Sequence, residues 1–102
     1  MIEIIQSETF QRWLLSLKDR QAVLRINARL RRLSQNNPGD AKPLREGISE
    51  LRIDYGPGYR VYFMQRRSFV IVLLAGGDKR TQDSDIARAI DLAKDWKEQS
   101  HD

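Results

Sequence analysis

Residues 48–75 hold three strand-length runs separated by two tight turns, and this block limits the possible folds more than any other feature. In residues 48–54, Leu51 and Ile53 alternate with Arg52 and Asp54. Gly56-Pro57-Gly58 then reverses the chain, after which Tyr59, Val61 and Phe63 alternate with Arg60, Tyr62 and Met64. Beyond Arg66-Arg67-Ser68, residues 69–75 are apolar almost without a break, the pattern of a central strand covered on both faces. Alternation places successive side chains on opposite faces, so runs joined this closely pair as hairpins.

Outside the block the apolar period becomes helical. A short β-like run, MIEIIQ, leads to Ser7, a candidate N-cap ahead of Phe10, Trp13, Leu14 and Leu17. Lys18-Asp19 breaks this segment, and Asp19 caps a second one whose stripe is Val23, Ile26, Leu30 and Leu33. Asn36-Asn37-Pro38-Gly39 ends it. Gly76-Gly77-Asp78-Lys79-Arg80 closes the sheet, and a last helix is expected over residues 82–99 with Ile86, Ala89, Ile90, Ala93 and Trp96 inward. The expected order is β-α-α-β-β-β-α, a compact α+β domain with the helical hairpin on one face of an antiparallel sheet. At 102 residues the chain forms one domain and is too short for two cores.

Charge distribution narrows the functional classes. The net charge of +4 favours an anionic partner. Residues 18–34 carry six Lys/Arg against one acid, residues 40–80 eight against five, and residues 83–102 three against six. The basic surface therefore belongs to the second helix and the sheet. With no cysteine there is no disulfide framework, thiolate metal site or cysteine nucleophile. The single histidine, His101, is next to last, so no histidine pair or triad is expected. Asp78, Asp83 and Asp85 do not match a calcium loop, and Asp83 and Asp85 suit a helix start. No phosphate-binding GxxxxGK[ST] loop, signal peptide or transmembrane span is expected, and the cytoplasm is the natural compartment.

What remains is basic and aromatic. Arg52 and Arg60 fall on one face of paired strands, where two guanidinium groups suit a phosphate between them. Tyr55 and Tyr59 flank the turn, where a ring can stack on an unpaired base. The competing reading pairs Arg52 with Asp54 or Glu50 and uses the tyrosines to cover the sheet edge. Lys79 and Arg80 leave the end of the central strand, a place where loops often carry function. The arginines of the second helix are either a solvated face or contacts for a phosphate backbone.

The stretch LREGISELRIDYGPGYRVYF, followed by LLAGGDKRTQDSDIARA, resembles the RelE/ParE toxin superfamily. Within it, the likeness is to the HigB-like (phage Gp49-like) addiction-module killer proteins, and it covers nearly the whole chain. The resemblance implies a small toxin of a type II toxin–antitoxin module, neutralised by a co-encoded helix-turn-helix antitoxin. RelE- and HigB-type members cleave mRNA at the ribosomal A site without a metal or other cofactor, whereas ParE-type members poison DNA gyrase. A toxin-like protein that only binds its antitoxin is a third reading. The RelE-type fold implies helices on one face of the sheet and RNA on the other.

By the same resemblance, Arg60 matches the arginine that contacts the scissile phosphate, and Arg52 lies in a strand that carries basic residues. Lys79 and Arg80 match the basic pair after the central strand, with Lys79 the expected proton donor. Tyr55, Tyr59 and Tyr62 are the expected RNA-contacting rings. The chain lacks the C-terminal catalytic tyrosine of well-studied relatives and the histidines of some HigB toxins, which leaves the proton acceptor unassigned.

Overall fold

A computed structural model describes residues 1–100, so His101 lies outside the described residues. The strands are β1 (Glu3–Gln6), β2 (Ala41–Pro43), β3 (Ile48–Ile53), β4 (Tyr59–Arg66) and β5 (Val70–Asp78). The helices are α1 (Glu8–Ser16), α2 (Arg20–Ser34) and α3 (Gln82–Ser100), with a 3-10 turn at Lys79–Thr81 leading into the last. The expected α+β order holds, with the short strand β2 added.

The five strands are ordered β1-β5-β4-β3-β2. β2 through β5 pair antiparallel as the tight turns require, but β1 lies parallel to β5, from Glu3 beside Val70 to Gln6 beside Leu73. The sheet is therefore mixed rather than wholly antiparallel. A parallel neighbour needs a long connection, and the two-helix segment after β1 begins one.

The core is divided by the sheet into two apolar layers, one on each face, where chain length alone had led us to expect a single core. On one face Phe10 of α1 and Ile26, Leu30 and Leu33 of α2 pack with Leu51, Ile53, Val61, Phe63, Ile71 and Leu73. On the other, Ile86, Ala89 and Ala93 of α3 pack with Ile48, Tyr62, Met64, Val72, Leu74 and Ala75. The helical hairpin does lie on one face, but the second face is not left open: α3 covers much of it. The unbroken apolar run of β5 serves both layers. A register shift opposite Tyr62 and Phe63 pairs Tyr62 with Ala75 and Phe63 with Leu73, so consecutive Leu74 and Ala75 both serve the α3 side.

Ser7 fixes the hairpin to the sheet. Its buried hydroxyl accepts from the Phe10 amide at 3.0 Å as the N-cap of α1 and donates to the Leu74 carbonyl at 2.7 Å. Ser7→Ala removes the cap and strands a buried carbonyl, and is expected to cost about 1–2 kcal/mol, read from thermal unfolding. A loss too small to detect would mean that the buried hydroxyl contributes nothing to the docking of α1.

Candidate nucleic-acid interface

The ladder between β3 and β4 sets Arg52 directly opposite Arg60, and Glu50 directly opposite Tyr62. These four belong to the α3 side of the sheet. On its other flank Arg60 faces Gly77 of β5. Like charges placed directly across a ladder repel, so something must neutralise one of them. Asp40, in the loop ahead of β2, does this. Its Oδ1 accepts from Arg52 Nε at 3.1 Å and from Arg52 Nη2 at 2.8 Å. The partner is thus neither Asp54 nor Glu50, as one reading of the sequence had it, but a residue brought in by the unforeseen strand β2.

Arg60 is different. No ion pair reaches it among the described residues, and its buried Nε has no hydrogen-bond partner. Lys79 is exposed and likewise without a partner among the described residues. A Cβ built on Gly58 would lie 3.7 Å from the Lys79 Cβ, so Lys79 stands against the Gly56-Pro57-Gly58 turn, two residues before Arg60. The positive φ of Gly58, 83°, lets that turn reverse the chain from β3 into β4. Arg80 has a partner, Asp78 Oδ2 at 3.2 Å. That contact, chiefly, holds the Asp78 carboxyl below its usual range.

The GGDKRTQ stretch becomes intelligible residue by residue. Gly76 leaves room for the Trp13 ring, and Gly77 for the carboxylate of Asp85. Asp78 caps the 3-10 turn, accepting from the Arg80 amide at 2.8 Å, while the Thr81 hydroxyl reaches back to the Asp78 amide. Thr81 Oγ1 also donates to Asp85 Oδ2 at 2.5 Å. Gln82 Nε2 donates to Glu50 Oε2 at 2.8 Å, tying the start of α3 to β3. Lys79 is the one side chain of the stretch that faces solvent with no such duty. Asp83 and Asp85 lie in the first turn of α3, as the sequence led us to expect.

The tyrosines are placed less simply than the sequence implied. Tyr55 donates its hydroxyl to Asp19 Oδ2 at 2.9 Å, and the Arg25 guanidinium lies 4.6 Å over its ring. The Tyr55 hydrogen bond is the main cause that lowers the Asp19 carboxyl, and the same bond raises the Tyr55 phenol. Tyr55 therefore ties the hairpin to the start of α2 while keeping part of its surface outside. Tyr59 is buried on the hairpin side, edge-on to Trp13 at 6.2 Å between ring centroids. Tyr62 is buried on the α3 side, and burial, followed by the negative charges of Glu50 and Asp85, pushes its phenol up. In this arrangement neither Tyr59 nor Tyr62 offers a ring to a base.

The arginines of α2 divide into roles. Arg29 is an anchor, donating from Nη1 to the Arg52 carbonyl and from Nη2 to the Pro38 and Asp40 carbonyls. Arg25 covers Tyr55, while Arg31 and Arg32 are exposed. Sequence reasoning gave no site role to Glu50, Gln82 or Asp85, taking the first as a possible partner of Arg52 and the other two as helix-start residues. A carboxylate two residues from Arg52, in a strand whose other members are mostly apolar, was the available signal for Glu50. Among the described residues no three His, Cys, Asp or Glu converge as metal ligands, and no helix is long and apolar enough to cross a membrane.

Comparison with known proteins fits this architecture. Residues 12–98 match the model of the family described as Phage derived protein Gp49-like (DUF891). An uncharacterized protein of Haemophilus influenzae is 49% identical over 94 residues, spanning 92% of this chain and 95% of that protein.

Proposed function

Because the chain belongs to the Gp49-like family of phage-derived proteins, a toxin-like family of RelE type, we propose that it is the toxin of a type II toxin–antitoxin module. In this reading it is HigB-like, cleaves mRNA on the ribosome without a metal, and is held in check by a co-encoded helix-turn-helix antitoxin.

The observation that supports cleavage is the pair of cations, Arg60 and Lys79, at one end of the sheet with no carboxylate neutralising either. The reaction is attack by the RNA 2′-hydroxyl on the adjacent phosphate. That nucleophile is supplied by the substrate, so the protein's task is to hold the phosphate and stabilise its developing charge. Arg60 is the phosphate contact and Lys79 gives a proton to the leaving oxygen. Arg52 and Arg80, partly neutralised by Asp40 and Asp78, add weaker phosphate contacts. Of the three tyrosines only Tyr55 keeps part of its surface outside, so it is the ring left to meet a base.

Pulse labelling of protein and DNA synthesis after induction tests the reading. Protein synthesis is expected to stop first, with cleaved mRNA. Arrest of DNA synthesis instead would replace this reading with gyrase poisoning. Arrest of neither would leave a protein that only binds its antitoxin.

A further inference from the structure

Among the described residues, three side-chain polar atoms are buried without a hydrogen-bond partner: Glu50 Oε1, Arg60 Nε and Tyr62 OH. They belong to neighbouring positions of one ladder, since Glu50 faces Tyr62 and the Arg52–Arg60 pair lies next along the same side. Glu50 and Tyr62 are each 0% exposed. A buried carboxylate with a free oxygen is costly for a fold, and retaining one beside an unpaired guanidinium is a mark of a functional site. The fold holds only Oε2 of Glu50, through Gln82, and leaves Oε1 as an open acceptor.

We propose that Glu50 is the proton-accepting residue of the site, a role that rests on the ribonuclease reading above. As the 2′-oxygen bonds to phosphorus, its proton passes to Glu50 Oε1. The bond from phosphorus to the 5′-oxygen breaks, and that oxygen takes a proton from Lys79. The products are a 2′,3′-cyclic phosphate and a 5′-hydroxyl end. Proton exchange with water then returns Glu50 to its carboxylate and Lys79 to its ammonium. Arg60, in the next ladder pair, holds the phosphate between the two proton-transfer groups. Glu50 is wholly covered in the free protein, so this role requires the substrate to displace the Gln82 side chain that bonds to it.

The test compares wild type, Glu50→Gln and Glu50→Asp on programmed ribosomes and on a short single-stranded RNA, with binding and thermal unfolding measured alongside. Glu50→Gln keeps the shape and the acceptor for Gln82 but cannot take a proton. It is expected to bind RNA as wild type does and to cleave about 10²–10⁴-fold more slowly. Glu50→Asp keeps a carboxylate that can take the proton and cleaves at a reduced rate. If wild type cleaves and Glu50→Gln cleaves within threefold of it, roughly the scatter of such effects, Glu50 is not the acceptor and the ribonuclease reading survives alone. If Glu50→Gln does not fold, Glu50→Asp decides, because an unchanged rate there overturns the role. If wild type cleaves neither substrate, the ribonuclease reading fails and the role of Glu50 falls with it.

Discussion

Arg60→Ala is expected to lower RNA cleavage by roughly 10²–10³-fold, the usual effect of removing one group that stabilises developing charge. It should do so without harming the fold. Arg60 has no ion-pair partner among the described residues, so its removal strands no buried carboxylate. It also relieves the repulsion from Arg52 directly across the ladder. Arg52→Ala should behave in the opposite way, with a smaller loss of cleavage and a cost in stability, because Asp40 then loses its partner. Cleavage rates and melting curves of the two variants separate these effects. Undiminished cleavage by Arg60→Ala would remove the central phosphate contact from the mechanism.

Gly77→Ala is expected to have the largest effect on stability. A Cβ there would lie 1.7 Å from Asp85 Oδ2, 2.7 Å from Asp85 Cγ and 2.9 Å from Thr81 Oγ1. The Asp85 carboxylate cannot simply swing aside, because it is 8% exposed and bonded to Thr81. The start of α3 must move off the sheet instead. Overpacking of this kind costs about 3 kcal/mol, which in a domain of this size lowers the melting temperature by roughly 12–20 °C. Shortening the obstructing side chain in a Gly77→Ala, Asp85→Ala double variant should recover part of the loss. A single variant that melts with wild type would show that α3 does not press on β5 as described.

These expectations separate two kinds of residue within one short motif. In GGDKRTQ, the glycines, Asp78, Thr81 and Gln82 shape the junction of β5 and α3, and Lys79 is left exposed with no partner among the described residues. The sequence alone could not make that division. It marked the glycines and the basic pair together, because composition does not reveal which neighbours each residue will meet.

The hairpin block was readable for a plain physical reason. Period-two alternation and a Gly-Pro-Gly turn act within a few residues, so β3, β4 and β5 follow from local preference and burial. The same holds for α1 and α2, whose caps Ser7 and Asp19 bond within their own first turns. β2 was missed because three residues ending in proline carry no period, and such a strand exists only by pairing with β3 at the sheet edge. The parallel seating of β1 was missed for a related reason, since a four-residue strand carries no record of its partner.

The site shows the same division more sharply. The sequence by itself determined which strands carry Arg52 and Arg60, that they share a face, and that a basic loop follows the central strand. Each of these depends on residue spacing. Only the tertiary structure decided which charges remain available, because the neutralising partners come from elsewhere in the chain. Asp40 reaches Arg52 from the loop ahead of β2, Gln82 brings α3 down onto Glu50, and Asp19 holds Tyr55. Burial likewise turned Tyr59 and Tyr62 from surface rings into core. A side chain's charge and shape are written in the sequence, but whether it meets a counter-ion, water or substrate depends on what folding brings beside it.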